Sequence, residues 1–279
     1  MLDFASVKRQ INQMVQEQKD AQNRFLKRMK LVSAEFERWS GDWETLADKV
    51  SLSKTSWPVA GISEPLNGSY PPPERPKQLT VIATDGSQIF PDRHEISSCY
   101  LINIGFVAIH YGTGERPTLS SRPFLFYKDQ DLHRDWAGKR TFMSNEIFAM
   151  KREALEFSEL ALLAEGSRSE GRTAVALSDG TLILWPLEGV PTDFKATTLE
   201  GFLSSLDRLR ETQIPLAGYI SQPGSTDVIN SLRVGLCPEE SPNCDKCPWK
   251  DIAYESQRRS KLPCAAIEGV TDQILFSHI

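Results

Sequence analysis

The chain has no surplus of positive charge: its 279 residues carry 32 Lys and Arg against 37 Asp and Glu, a net charge of −5. That excludes a general polyanion-coating protein, because nonspecific nucleic-acid affinity comes mainly from phosphate neutralisation by Lys and Arg. Any nucleic-acid contact is therefore local. No apolar run approaches the roughly 20 residues that cross a bilayer, and Met1-Leu2-Asp3-Phe4 lacks the basic flank and apolar core of a signal peptide. The expectation is a soluble, cytoplasmic protein. Histidine is scarce, and His94, His110, His133 and His278 show no zinc-site spacing. There is no Gly-rich phosphate loop and no Walker-type lysine motif, so any ATP-driven step belongs to a partner. Internal repeats and low-complexity tracts are absent as well.

What is present begins with two matching apolar runs. Leu79-Thr80-Val81-Ile82-Ala83-Thr84 delivers Asp85-Gly86-Ser87, and Ala174-Val175-Ala176-Leu177-Ser178 delivers Asp179-Gly180-Thr181. A β-branched run closed by Asp-Gly reads as a buried strand that stops where the chain turns, which places each carboxylate at a strand end. Carboxylates gathered this way suit a hard divalent cation such as magnesium or manganese, leaving coordination positions for water and substrate phosphate. Metal-dependent phosphodiester hydrolysis follows as the leading chemistry. The alternative is that each Asp-Gly is an ordinary turn.

Around these runs the chain organises into three segments. From Leu2 to about Val50, Phe4, Val7, Ile11, Met14, Val15, Phe25, Met29, Val32 and Phe36 recur at helical spacing, which predicts a long amphipathic helix over residues 1–50. Residues 51–78 hold six prolines and read as an extended linker. The main domain is expected over 79–279. Strands are predicted from Ser97 to Tyr111 and from Thr118 to Tyr127, joined by a short turn and hence antiparallel. A helix is expected from Arg134 to Glu165, and an apolar run at Leu182-Ile183-Leu184-Trp185. A helix over Leu199–Arg210, a strand over Leu216–Ser221 and a helix opening at Ser225 or Thr226 complete the pattern. Three strands, a helix, then strand–helix alternation gives an α/β fold, a mixed sheet flanked by helices on both faces, in the order used by ribonuclease H-like folds.

The third carboxylate is sought on the helix from Asn145 to Ala164. At about 100° per residue, Glu146 and Glu153 fall within the arc of Met150, Phe157 and Leu160, while Glu156 and Glu159 point to the polar side. A carboxylate on a core-facing surface is costly unless paired or metal-bound, so Glu153 above all is either a ligand or a margin residue paired with Lys151 or Arg152. Ions held by Asp85, Glu153 and Asp179 activate a water and stabilise the leaving oxygen in this reading. Basic residues cluster at Lys8, Arg9, Arg24, Lys27, Arg28 and Lys30, and again at Arg134, Lys139, Arg140, Lys151 and Arg152. Either cluster fits a local nucleic-acid contact or a solvated helix face.

Cys237, Cys244, Cys247 and Cys264 follow one another in a Pro-rich segment, and Cys244-Asp245-Lys246-Cys247 has the gap of a metal knuckle. Four thiolates suit structural zinc or an iron–sulfur cluster that braces the segment. The wide outer gaps leave free loop thiols, or a disulfide, as alternatives. Cys99 is expected in a strand as plain core.

Taken together, Thr84-Asp85-Gly86-Ser87, Arg152-Glu153, Ser178-Asp179-Gly180-Thr181, the block from Gly218 to Thr226 and Val270-Thr271-Asp272 resemble the NurA nuclease family. Gly218-Tyr219-Ile220-Ser221 is the most specific piece, since neither turn chemistry nor core packing demands it. The resemblance implies a ribonuclease H-like fold and manganese-dependent DNA cleavage, 5′-to-3′ exonuclease and single-strand endonuclease, in end processing and double-strand break repair. It also implies a homodimer and a hexameric translocase ATPase, HerA, as partner. By the same resemblance Asp85, Glu153 and Asp179 match the metal ligands, Tyr219 and Ser221 lie near the scissile strand, and Asp272 matches a later acidic position. A further basic or histidine residue is implied beyond Asp272, and a chain that stops at Ile279 is expected to be a truncated product or a fragment. Two other readings stand beside this one. A ribonuclease H-like scaffold could bind DNA or a motor ATPase without cutting. An aspartate-nucleophile phosphatase needs a second Asp where this chain has Ala83 and Leu177.

Overall fold

The computed structural model describes residues 3–91, 99–136, 139–169, 173–183, 192–248 and 262–279. Contacts group the chain into two compact units, Pro73–Ser221 and Met1–Pro72 with Gln222–Ile279. This division differs from the expected 79–279 domain, because the C-terminal segment shares its apolar core with the N-terminal helices.

In the unit Pro73–Ser221, β1 (Leu79–Ile89), β2 (Tyr100–Tyr111) and β3 (Thr118–Phe126) form an antiparallel meander. After α3 (Asp129–Leu132), the segment expected to open a long helix instead forms a hairpin, β4 (His133–Trp136) with β5 (Lys139–Phe142). Aromatic and β-branched residues such as Thr141 and Phe142 favour extended backbone there. The helix α4 runs Asn145–Ser169, followed by β6 (Ala174–Asp179), α5 (Thr192–Thr212) and β7 (Leu216–Tyr219). Of the apolar run at Leu182-Ile183-Leu184-Trp185, the last two residues lie outside the described residues, as do Ser97, Ser98 and His94. The main sheet has the order β3-β2-β1-β6-β7, with β6 and β7 parallel to β1.

Strand alternation explains how this sheet is buried. Thr80, Ile82 and Thr84 turn inward on β1, and Ala174 and Ala176 on β6, so one face meets Phe157, Leu160, Ala161 and Ala164 of α4 and Phe202 and Leu209 of α5. Phe157 and Phe202 meet edge to face, with ring centroids 4.5 Å apart. Both helices sit over this same face, in contrast to the expectation of helices on both. Further along, Tyr100 stacks on Phe126 at 4.5 Å and packs against Phe148 at 4.3 Å.

The glycine of Asp85-Gly86 marks no turn. β1 continues through it to Ile89, paired with β2 throughout. A Cβ at Gly86 would lie 2.4 Å from Glu156 Oε1, 2.7 Å from Arg152 Cγ and 3.0 Å from Ile104 Cδ1, so the missing side chain is what lets α4 approach the strand.

In the other unit, Asp3 caps α1 (Phe4–Gly41) by accepting from the amides of Ala5 and Ser6. The chain breaks at Asp42 and resumes as α2 (Trp43–Leu52), so the expected single helix is two. Met29, Val32, Phe36, Trp39, Leu46 and Val50 pack on α6 (Asp227–Leu236) and α7 (Asp272–Phe276). Phe4, Ile11, Met14 and Val15 on the first half of α1 are exposed. The segment read as a linker is pinned in part: Asn230 Nδ2 donates to the Pro58 carbonyl (2.8 Å), Ser231 Oγ to that of Ala60 (3.0 Å), and Val59, Ile62 and Leu66 pack on the core.

Replacing Gly86 by alanine is expected to destabilise the protein by about 1–3 kcal/mol through overpacking against α4. Urea unfolding followed by circular dichroism reads this, with Gly61→Ala, which meets open space on backbone of ordinary φ, as the comparison for backbone effects of a glycine replacement.

Candidate active site

Parallel pairing of β1 and β6 ends with Thr84 opposite Ser178, and the next residue on each strand is the aspartate. Adjacent strands lie about 4.8 Å apart and matching positions share a face, so Asp85 and Asp179 stand as neighbours. Both are exposed, and both line a cavity of about 450 Å³ on the sheet face opposite α4, together with Ala83, Val107, Leu177 and Tyr219. Asp179 closes its strand as expected, with Gly180 at φ 107° making the turn. Asp85 instead sits in mid-strand.

Gly218, near the end of β7, answers to packing, contrary to expectation. Gly180 N donates to the Tyr219 carbonyl (2.7 Å), and a Cβ on Gly218 would fall 2.7 Å from the Gly180 carbonyl oxygen. Gly218 is therefore required by the turn that follows Asp179. Tyr219 is 63% exposed with its ring at the cavity, and Ser221 is exposed just beyond it.

On α4 the expected polar side is buried. Glu159 is 6% exposed and pairs with Arg122 of β3 at 2.9 Å. Glu156 lies over Gly86: the Thr84 hydroxyl donates to its carbonyl (3.0 Å), and Arg152 Nη1 donates to the Gly86 carbonyl (2.7 Å) while standing 3.5 Å from Glu156 Oε1. That Oε1 is buried and without a hydrogen bond. Burial, opposed by Arg152 and reinforced by the charges of Asp85 and Glu153, pushes the Glu156 carboxyl up to about 7. Glu153 is half-buried and also raised, by burial against the pull of Arg152. Glu146 lies exposed in the first turn, where the Ser144 hydroxyl holds it below the usual carboxylate range. The helical-wheel argument failed because α4 is apolar on several sides. Phe148 meets β2, Met150 meets Phe194 and Phe157 meets β1, so no single arc defines inside. A sequence signal for Glu156 existed in its i, i+4 spacing from Arg152.

Asp272 belongs to the other unit and is engaged there. Its Oδ1 accepts from Ile229 N (2.9 Å), and its Oδ2 from Ser225 Oγ (2.9 Å) and Val228 N (3.3 Å), so it serves as the N-terminal cap of α6 from a distant position. The α6 N-cap residue itself, Thr226, makes no capping bond.

Among the described residues no three His, Cys, Asp or Glu side chains are grouped closely enough to hold a metal ion. The adjoining pair Asp85 and Asp179 nevertheless fits the habit of small hard cations, which take one or two carboxylates and complete their shell with water and substrate phosphate. Among the described residues no helix is long and apolar enough to cross a membrane.

A mixed sheet in this strand order, with aspartates at adjoining positions of its two central parallel strands, defines an α/β protein of the ribonuclease H-like class. The chain belongs to the NurA family, whose domain profile matches residues 79–273. It is similar to the NurA nuclease from Sulfolobus solfataricus, at 14% identity over 56% of this chain and 53% of that one, with a TM-score of 0.33. A structure of NurA bound to dAMP and manganese is 14% identical over 100% of this chain and 57% of that one, TM-score 0.29. A further NurA structure gives 17% over 93% and 46%, TM-score 0.30. The chain thus spans about half the length of the NurA structures it matches. No curated protein matches it.

Two outcomes follow from the carboxylates. The folded-state value of Glu156 lies above the ordinary 4.5, so its contribution to stability is full below that pH and is lost as pH rises through about 7. In metal-free buffer Glu156→Gln is expected to match the parent near pH 4 and to exceed it by roughly 2–3 kcal/mol at pH 8, read by unfolding at both pH values. Asp272→Ala is expected to cost about 2 kcal/mol, with earlier loss of helical signal on heating.

Proposed function

We propose that this protein is a metal-dependent DNA nuclease. The observation that carries the reading is the side-by-side placement of Asp85 and Asp179 at one cavity of the sheet. Membership in a family with a member solved with dAMP and manganese supports it.

In this reading Asp85 and Asp179 hold a divalent ion, manganese or magnesium; Glu153, the third ligand by family resemblance alone, stands with Glu156 on α4, on the other face of the sheet from their cavity. Such an ion, when bound, polarises the scissile phosphate and lowers the pKa of an attacking water. The chain's own contribution is placement. Gly180 and Gly218 set the turn that fixes Asp179, and Gly86 fixes how closely α4 brings its carboxylates to β1. The exposed ring of Tyr219 offers a stacking surface for a nucleobase at the rim of the cavity, and Ser221 follows it. Asp272 caps α6 within the other unit.

The finer assignments rest on the family resemblance: 5′-to-3′ exonuclease and single-strand endonuclease activity, a preference for manganese, work in double-strand break repair, a homodimer and the translocase HerA as partner. A second reading, a scaffold that binds DNA without cutting, is favoured by the absence of a third carboxylate grouped with the pair among the described residues.

The test is cleavage of end-labelled single-stranded DNA with manganese by the full chain and by Asp85→Asn, Asp179→Asn, Glu153→Gln and Glu156→Gln. Loss of about 100-fold or more is expected in both aspartate variants, the scale of removing a group that organises the reacting phosphate. Whichever glutamate variant falls with them identifies the ligand on α4. Binding of DNA without cleavage by the unaltered chain overturns the nuclease reading and leaves the scaffold.

A further inference from the structure

Away from the sheet, in the unit containing α6, four cysteines surround one cavity of about 110 Å³. Cys237 follows α6, Cys244 opens a short 3-10 turn over Cys244–Lys246, Cys247 closes that turn, and Cys264 lies in a second one over Pro263–Ala265. All four are free thiols, each partly exposed. Among the described residues, neither carboxylate nor imidazole joins them at the cavity except the exposed Glu239.

The surroundings are those of a site built for negative charge. Arg233 lines the cavity with only 12% of its side chain exposed. It is held there by a hydrogen bond from Nε to the Cys264 carbonyl (2.8 Å), a second from Nη1 to Asn230 Oδ1 (3.0 Å) and the Trp57 ring 4.1 Å beneath it. Lys246 also lines the cavity. Lys49 Nζ donates to the carbonyls of Gly235 (3.3 Å) and Cys237 (2.5 Å), fixing the end of α6. Burial pushes the Cys244 thiol up, against the pull of the Ser56 backbone and of Arg233. A cation held beside the sulfurs is the environment that stabilises metal-bound thiolates. The loop is tied down independently of any metal, since Lys54 N donates to the Pro242 carbonyl and Cys244 N to that of Lys54, each at 2.8 Å.

We propose that Cys237, Cys244, Cys247 and Cys264 ligate an iron–sulfur cluster. Zinc fits the arrangement less well on two counts. A single zinc about 2.3 Å from each sulfur draws four sulfurs into mutual contact and leaves no void between them, whereas here the cysteines surround a cavity and no three of them are close enough to share one ion. Structural zinc sites also pair two short knuckles, and this segment has only one, Cys244 to Cys247. On assembly iron replaces the four thiol protons, which pass to solvent, and Arg233 offsets part of the negative charge of the thiolates. The cluster braces α6, the Lys54 strand segment and the chain that leads to Asp272. This inference stands on different residues from the nuclease reading and does not depend on it.

The test uses the full chain purified without oxygen, or reconstituted anaerobically with ferrous and ferric iron in equal amounts and sulfide. Iron and acid-labile sulfide in equal amounts, with broad visible absorption, are expected. Cys244→Ser and Cys264→Ser should reduce bound iron to background, while Cys99→Ser leaves it intact. A measurement on the unaltered chain covers the case in which those variants fail to fold: with the cluster present only Cys99 should react with an alkylating reagent, and after iron removal all five thiols should. Bound zinc without sulfide, no iron after reconstitution, or iron retained by Cys244→Ser overturns the proposal.

Discussion

The sheet unit depends on the parallel register of β1 with β6. Parallel neighbours cannot be joined by a tight turn, so the chain must travel out and return before the second strand is laid down. Here the excursion contains β2, β3, the short hairpin and α4, and it ends with Thr84 opposite Ser178. A slip of one residue would send Asp179 to the opposite face from Asp85. The buried residues of the same strands, Ile82, Ala174 and Ala176, resist that slip because it would carry them out of the core. The hydrophobic pattern thereby fixes the position of two charged groups that contribute nothing to the core.

Helix α4 shows the opposite balance. Its glutamates approach the sheet at some cost, since Glu156 is half-buried with its Oε1 unpartnered and is offset only in part by Arg152 and the Gly86 backbone. A carboxylate compensated only in part answers by holding its proton to higher pH. Glu159, one turn along, is satisfied directly by Arg122 and shows how the same helix manages a carboxylate that serves the fold. The contrast between the two separates a position shaped by packing from one where stability has been conceded, as is common at sites of chemistry.

In the second unit long-range polar contacts replace local ones. The N-terminal amides of α6 are met by a carboxylate more than forty positions along the chain, and Arg233 on the same helix reaches the cysteine-bearing turn. Residues that look catalytic by type can thus be structural by position. Asp272 is the example: its three hydrogen bonds explain an acidic residue there without any reacting group.

Much of this was legible in sequence, and the reasons are local. Alternation in β1 and β6, the short turn between β2 and β3, and the acidic residue ending β6 all follow from side-chain periodicity and turn chemistry. So does the candidate pair Asp85 and Asp179. The Cys244 to Cys247 knuckle was visible too. Other features were hidden because they depend on what lies across a gap in space. Gly86 reads as a turn until α4 is seen above it; Gly218 has no local role until the Gly180 carbonyl is placed against it; Glu156 looks solvent-facing until three separate clusters are found around its helix. The amino-acid sequence by itself determined that Leu79–Thr84 and Ala174–Ser178 extend, that Asn145–Ala164 coils and that Asp179 ends its strand, since these follow from backbone and periodicity. Only the tertiary structure decided which glutamate lies over Gly86, what Asp272 holds and that four cysteines share one cavity, because those outcomes rest on close approach between distant segments, which no local pattern encodes.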